Sequence, residues 1–226
     1  PIDFKNKEHK SEDFLKINGV FIPSIKNECK RVVLKNLDLS ETPILQIKSI
    51  FKEQIANYKN RKKKKGLAFG DTFFLEINRG CPYRCNFCIS CHHNTPFRNK
   101  TLKDLIQTIK QAKEIQEIKK ITFIGSCVAS HPNFIEICNY LFKNNIEFMI
   151  PSIRIDHINK ELIGILEKGN IKTITIAPET GFNNLRYSIG KKISNEKIIE
   201  AAKIIRDSNI KNLKLYFLIG LPGEQE

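Results

Sequence analysis

Nowhere in this 226-residue chain do the roughly 18 to 20 consecutive apolar residues of a membrane-spanning helix occur. The N-terminus also lacks the pattern of a signal peptide. These absences predict a cytoplasmic protein with no membrane partner. There is no Trp, and acidic side chains are scarce, 24 against 38 basic ones. No G-x-S-x-G, Walker loop or paired-carboxylate pattern is present, so the common motifs for acyl transfer, nucleotide binding and glycoside cleavage are missing. With 41% hydrophobic residues the chain is not a disordered tail, and at this length it is not a disulfide miniprotein. It is long enough for one sizeable domain that buries about 70% of its unfolded surface.

The net charge of +14 permits contact with nucleic acid or anionic substrates. However, 30 of the 38 cations are Lys, and Ile, Lys and Asn (36, 30 and 21 residues) exceed a third of the sequence. An AT-rich coding sequence produces such a bias, and no motif of interleaved aromatics and Arg indicates nucleic acid. The one dense run, Arg61 to Lys65, reads as a solvated linker. The chain opens on Pro1, which suggests a fragment or a processed product.

Residues 1–70 have an irregular pattern and are expected to form an N-terminal connector. It holds strand-like pieces at Val20–Ile22 and Arg31–Leu34 and a helical stripe from Ile44 to Tyr58. From about residue 71 short apolar runs alternate with amphipathic segments. Strands are predicted at 72–78, 121–125, 146–150, 171–177 and 213–220. Helices are predicted after the N-cap Thr101, from His131 with Ser130 as its cap, before Gly169, and around Ile198 to Ile205. This alternation predicts an α/β fold with a parallel sheet, whose sites lie at the C-terminal strand ends. The last strand runs into Gly220-Leu221-Pro222-Gly223 just before the chain stops, so the 71–226 core is expected to be truncated at its C-terminus.

Four of the seven Cys fall between positions 81 and 91, and in a reducing compartment they read as metal ligands. Cys81-Pro82-Tyr83-Arg84-Cys85-Asn86-Phe87-Cys88 is a CxxxCxxC loop three residues beyond the first strand. Three thiolates can hold a [4Fe-4S] cluster and leave one iron open to an outside ligand. Arg79-Gly80 and Pro82 allow a tight turn, and Phe87 supplies an apolar face. Cys91 extends the run to CxxxCxxCxxC, so a zinc site or an electron-transfer cluster would use the same residues. His92 and His93 read as solvated loop and His131 as structural. Cys29, Cys127 and Cys138 read as small buried apolar residues, although Cys127 sits at a strand end near the site.

The loop resembles the signature of the radical S-adenosylmethionine (SAM) superfamily, with its aromatic residue before the last Cys. The resemblance extends through Glu76 to Cys81, Ile176 to Gly181 with Leu185-Arg186 and Lys191, and Ile219 to Glu224. These look like the subgroup whose core often follows a cobalamin-binding domain. It implies a partial (β/α)6-type radical SAM barrel of about five parallel strands. It further implies that Cys81, Cys85 and Cys88 ligate a [4Fe-4S] cluster whose open iron binds SAM. One electron then cleaves the sulfonium, and the resulting 5'-deoxyadenosyl radical takes hydrogen from a substrate not identified by the sequence. An electron donor such as ferredoxin or flavodoxin is implied as partner.

For SAM contacts the family's usual GGE is here Gly125-Ser126-Cys127, so the amine-binding Glu is missing. Backbone carbonyls of Gly125 and Ser126 take its place in this reading. Glu179 matches a position that binds ribose or amine, Arg154 pairs with the SAM carboxylate, and Ile219 lies against adenine. Cobalamin would come through a domain outside this chain, which has no D-x-H-x-x-G motif, and would favour methylation or ring rearrangement. Methylthiolation of tRNA is an alternative that needs a further cluster domain and an RNA-binding domain, and a zinc or iron-sulfur module is the non-enzymatic alternative.

Overall fold

The computed structural model describes residues 11–25, 28–46 and 71–224. The chain divides into two compact units, 1–35 and 36–226. In the described part of the smaller unit, a 3-10 turn covers Ser11–Lys16 and the rest is irregular. The two strand-like runs at 20–22 and 31–34 do not form strands, which corrects the expectation. A short β-branched run becomes a strand only where another strand completes its hydrogen bonds. Of the helical stripe from Ile44, only residues 44–46 are described, and they are not helical; the rest, and Arg61 to Lys65, lie outside the described residues.

The larger unit contains all five predicted strands with shifted ends. They are β1 (Phe73–Glu76), β4 (Lys120–Ile124), β5 (Glu147–Met149), β6 (Thr173–Glu179) and β7 (Asn212–Phe217). β4 lies between β1 and β5, parallel to both, and β6 pairs in parallel with β7. The Ile153 N–H donates to the Thr175 carbonyl at 2.8 Å and links the segment after β5 to β6. A two-residue antiparallel pair, β2 (Asn78–Arg79) with β3 (Arg98–Asn99), was not foreseen. Its strands are too short to show a period.

The helices are α1 (Ile89–His93), α2 (Leu102–Ile115), α3 (Phe134–Lys143), α4 (Lys160–Lys168), α5 (Asn183–Ser188) and α6 (Asn195–Arg206). Thr101, Asn159 and Ser194 cap α2, α4 and α6 by accepting from the N–H three residues on, at 3.2, 2.8 and 3.3 Å. α3 starts three residues later than His131, behind Asn133, and Ser130 caps nothing. The helical stripes bury Leu105, Ile109, Ala112, Ile137, Cys138 and Leu141 against Leu75, Ile121, Phe123 and Phe148 of the sheet. The helices thus cover the strands and leave the C-terminal strand ends to the loops. Among the described residues no helix is long and apolar enough to cross a membrane.

Residues 36–46 pack on the larger unit as a strap. The Gln46 amide both donates to and accepts from the Phe74 backbone at 2.8 Å, so it replaces a neighbouring strand on β1. Lys100 Nζ donates to Ser40 O at 2.7 Å, and the Thr101 N–H donates to Asp38 at 2.7 Å. Part of the segment read as connector is therefore built into the core.

Candidate metal and cofactor site

The Cys loop leaves β1 through β2 and is returned by α1 and β3. Gly80 has φ +84°, and a Cβ there would lie 2.4 Å from the Asn94 carbonyl, so glycine is required where the loop's two ends meet. Cys81 and Cys88 are half-buried, Cys85 is buried and Phe87 is 45% exposed. On its far side the loop rests on the turn after α5. The Asn86 N–H donates to Ile189 O at 2.9 Å, and its side chain donates to Ser188 O at 3.0 Å. A Cβ at Gly190, φ +77°, would come within 2.7 Å of Arg84 O.

Cys91, the spare cysteine, is buried in α1. Its thiol donates to the carbonyls of Cys88 and Cys85 at 3.0 and 3.4 Å. Burial pushes its pKa up. It braces the loop backbone from inside, while His92 and His93 are exposed.

Arg154, beyond β5, lies with its guanidinium 3.7 Å from the Tyr83 ring centroid. Its Nε is 2.6 Å from Asp156 Oδ2 and its Nη1 3.8 Å from Cys85 Sγ. Burial raises the Cys85 pKa, and the charges of Arg154 and Lys191 oppose that rise. Cationic neighbours are what a thiolate ligand needs.

Gly125 directly follows β4, and a Cβ there would lie 2.2 Å from the Asn78 Oδ1. Asn78 is buried and donates to Cys127 O at 2.8 Å, so this side chain locks the end of β4 to the end of β1. Ser126 is exposed. Glu179 ends β6 with φ +67° and pairs with Lys191 at 2.6 Å. Arg186, fully buried, donates to Pro178 O, Thr180 O and Ile193 O and fixes the chain beyond it. Ile219 is 96% exposed in the turn after β7.

Sequence reasoning missed a hydrogen-bonded chain at the same mouth. Cys127 Sγ lies 2.9 Å from Ser130 Oγ, which is 2.8 Å from His157 Nε2, and the Tyr83 hydroxyl is 3.2 Å from the same nitrogen. Cys127 is buried as expected, but it is a polar participant rather than apolar filler. Its hydrogen bond with Cys81 lowers its pKa to about 7 and raises that of Cys81. Cys29 is exposed, against expectation, whereas Cys138 is fully buried and its pKa raised by burial. His131 has the expected structural role, with Nε2 2.7 Å from Lys100 O and Nδ1 accepting from the Asn133 N–H at 3.1 Å.

A parallel α/β sheet with a thiol loop at the C-terminal end of its first strand has the layout of a core that holds a metal or cluster at its strand ends. Residues 75–226 match the radical SAM superfamily, and the chain belongs to it. An uncharacterized protein of Methanocaldococcus jannaschii is 32% identical over 93% of this chain and 44% of its own length. The ribosomal protein uS12 methylthiotransferase RimO of Trichormus variabilis is 28% identical over 68% of this chain and 37% of its own length. The chain thus spans less than half of these relatives. Among solved structures, the radical SAM methyltransferase TsrM of Kitasatospora setae, holding cobalamin and a [4Fe-4S] cluster, aligns with a TM-score of 0.55 at 14% identity. The alignment covers 68% of this chain and 32% of TsrM, and it shows the shared barrel-type fold.

The superfamily's cofactors are a [4Fe-4S] cluster and SAM. The donors of the loop fit such a cluster, since Cys81, Cys85 and Cys88 form a soft sulfur set beside a cationic Arg154. Among the described residues no three Cys, His, Asp or Glu side chains are gathered to hold a single ion. A cubane carries its cysteines on separate irons, so its ligands need no such convergence.

Proposed function

We propose that this chain is the core of a radical SAM enzyme in which Cys81, Cys85 and Cys88 hold the cluster. It cleaves SAM reductively and takes hydrogen from a substrate, in the service of methyl transfer assisted by cobalamin in a domain outside residues 1–226. The observation that carries this reading is the three-thiol loop at the end of β1, faced by Arg154 and by the ends of β4 and β6. The chemistry supplied by the bound pair is one-electron cleavage of the sulfonium followed by hydrogen abstraction.

The protein's own residues position the partners. Gly125 and Ser126 offer backbone acceptors to the SAM amine at the end of β4. Glu179 offers the carboxylate oxygen that Lys191 does not hold. Phe87 shields the cluster, Ile219 covers adenine, and the surrounding loops limit water so that the radical meets only its target. A low-potential donor such as ferredoxin or flavodoxin delivers the electron. The fold shared with TsrM supports the methyl-transfer assignment.

A second reading, methylthiolation, is favoured by the 28% identity with RimO. Anaerobic reconstitution of the full-length protein separates the two. Methyl transfer expects roughly four irons per chain, and methylthiolation with a further cluster roughly eight. Electron paramagnetic resonance must change on adding SAM, and 5'-deoxyadenosine must accumulate with reductant. A zinc-loaded protein, or a reduced cluster indifferent to SAM, sinks both readings.

A further inference from the structure

The resemblance assigned Arg154 to the SAM carboxylate, but three contacts place it elsewhere. Its Nε is tied to Asp156 at 2.6 Å, its guanidinium lies on the Tyr83 ring at 3.7 Å, and its Nη1 points at Cys85 Sγ at 3.8 Å. The side chain is 11% exposed. Tyr83 is itself held by His157 Nε2, which also lies within hydrogen-bond distance of Ser130 Oγ. The guanidinium is thus held at its Nε edge by Asp156 and on one face by Tyr83, and it is directed at the sulfur of Cys85 in the Cys loop.

We propose that Arg154 is a positioning and tuning residue of the cluster, which donates an N–H···S hydrogen bond to the Cys85 thiolate, rather than the anchor of the SAM carboxylate. The inference rests on the proposed function only in taking Cys85 as a ligand. Hydrogen bonds to cluster sulfurs and nearby positive charge are among the levers that set an iron-sulfur potential. Both lower the energy of the more negative, reduced state, so Arg154 raises the potential and makes the cluster easier to reduce. Arginine suits this task because its charge is permanent and its planar group stacks on Tyr83 while still presenting N–H groups sideways. Asp156 holds Nε and leaves Nη1 for the sulfur.

The test uses the full-length reconstituted protein with Arg154→Gln and Arg154→Lys. Three readouts are taken: iron per chain, the midpoint potential of the cluster by redox titration followed by paramagnetic resonance, and the Kd of SAM by calorimetry on the oxidised protein. The expected result is a more negative midpoint in Arg154→Gln, with iron retained and the SAM Kd within about threefold of wild type. Arg154→Lys keeps the charge and loses the fixed fork, so its midpoint falls between the two. If Arg154→Gln fails to hold a cluster, the Arg154→Lys protein decides by the same two quantities. An unchanged midpoint, or a Kd for SAM raised tenfold or more without a change in midpoint, overturns the inference and returns Arg154 to the carboxylate. A wild-type protein without a cubane overturns the proposed function first, and that failure shows in the iron count before any variant is compared.

Discussion

At the end of β1, the Cys loop keeps its reactive groups partly open. Cys81 and Cys88 are half-buried, Phe87 is 45% exposed, and the contact from Arg154 to Cys85 is a long 3.8 Å. At the end of β6 the charged groups are closed in. Lys191 and Glu179 side chains are 8% and 9% exposed and 2.6 Å apart, and Arg186 spends its donors on backbone carbonyls. Both regions lie at C-terminal strand ends, yet one holds its groups partly open and the other keeps only the second Glu179 oxygen outside its buried ion pair. Groups with spare capacity can meet a ligand, whereas a buried pair first has to be compensated within the protein. A ligand that reaches Glu179 therefore adds to Lys191 rather than replacing it.

The largest effect that separates the two regions is on metal content. Replacing Cys81, Cys85 or Cys88 with Ala should drop reconstituted iron from about four per chain to below one. Far-ultraviolet circular dichroism should stay unchanged, because these side chains contribute little of the core. Full iron in any of the three variants would remove that residue from the ligand set.

Lys191→Met should behave in the opposite way, retaining the three thiols but losing about 3–5 kcal/mol of stability in denaturant unfolding. The loss follows from leaving Glu179 buried without its partner, and adding Glu179→Gln should recover much of it. A loss below about 1 kcal/mol would mean that the β6 end is as open as the Cys loop.

Between the two stands Gly125→Ala, whose new Cβ would press on Asn78 Oδ1. An overpacked site of this kind costs about 1–3 kcal/mol, read as a lower Tm. The smallest effect concerns the thiols of the cluster-free protein. Cys127 has its pKa lowered to about 7 by its hydrogen bond with Cys81. Thiolate is the nucleophile, so alkylation of Cys127 by iodoacetamide, followed by mass spectrometry, should rise as pH passes upward through about 7. Cys138, sealed in the core with its pKa raised, should remain unmodified throughout that range. Equal labelling of the two would mean that the Cys81–Cys127 pair does not form.

The sequence pattern revealed the five parallel strands because each is an apolar run between turn residues. It revealed the Cys loop because three like side chains fall within eight positions. Properties that depend on distant partners were not legible. Val20–Ile22 has the composition of a strand, yet its backbone is engaged in turns, with Val20 N–H donating to Ile17 O and Ile22 O accepting from Ile25 N–H. Asn78 sits in an apolar run, and nothing local shows that it joins β1 to Cys127 across 49 positions. Ser130 looked like a helix cap, and only folding brings it together with His157 and Tyr83. Arg154 was read as a SAM-carboxylate partner from its place after β5, and its contacts with Tyr83 and Cys85 are a matter of tertiary structure.

The strap of residues 36–46 bears on how the catalytic core can be excised for study. The family match starts at residue 75, and a cut there would sever β1 after its second residue. It would also lose Gln46 together with the Phe74 backbone it holds, and take Asp38 from the start of α2 and Ser40 from the buried Lys100 ammonium. A truncation that begins at Asn36 keeps all of these, so a piece that retains these contacts starts about forty residues before the family match does.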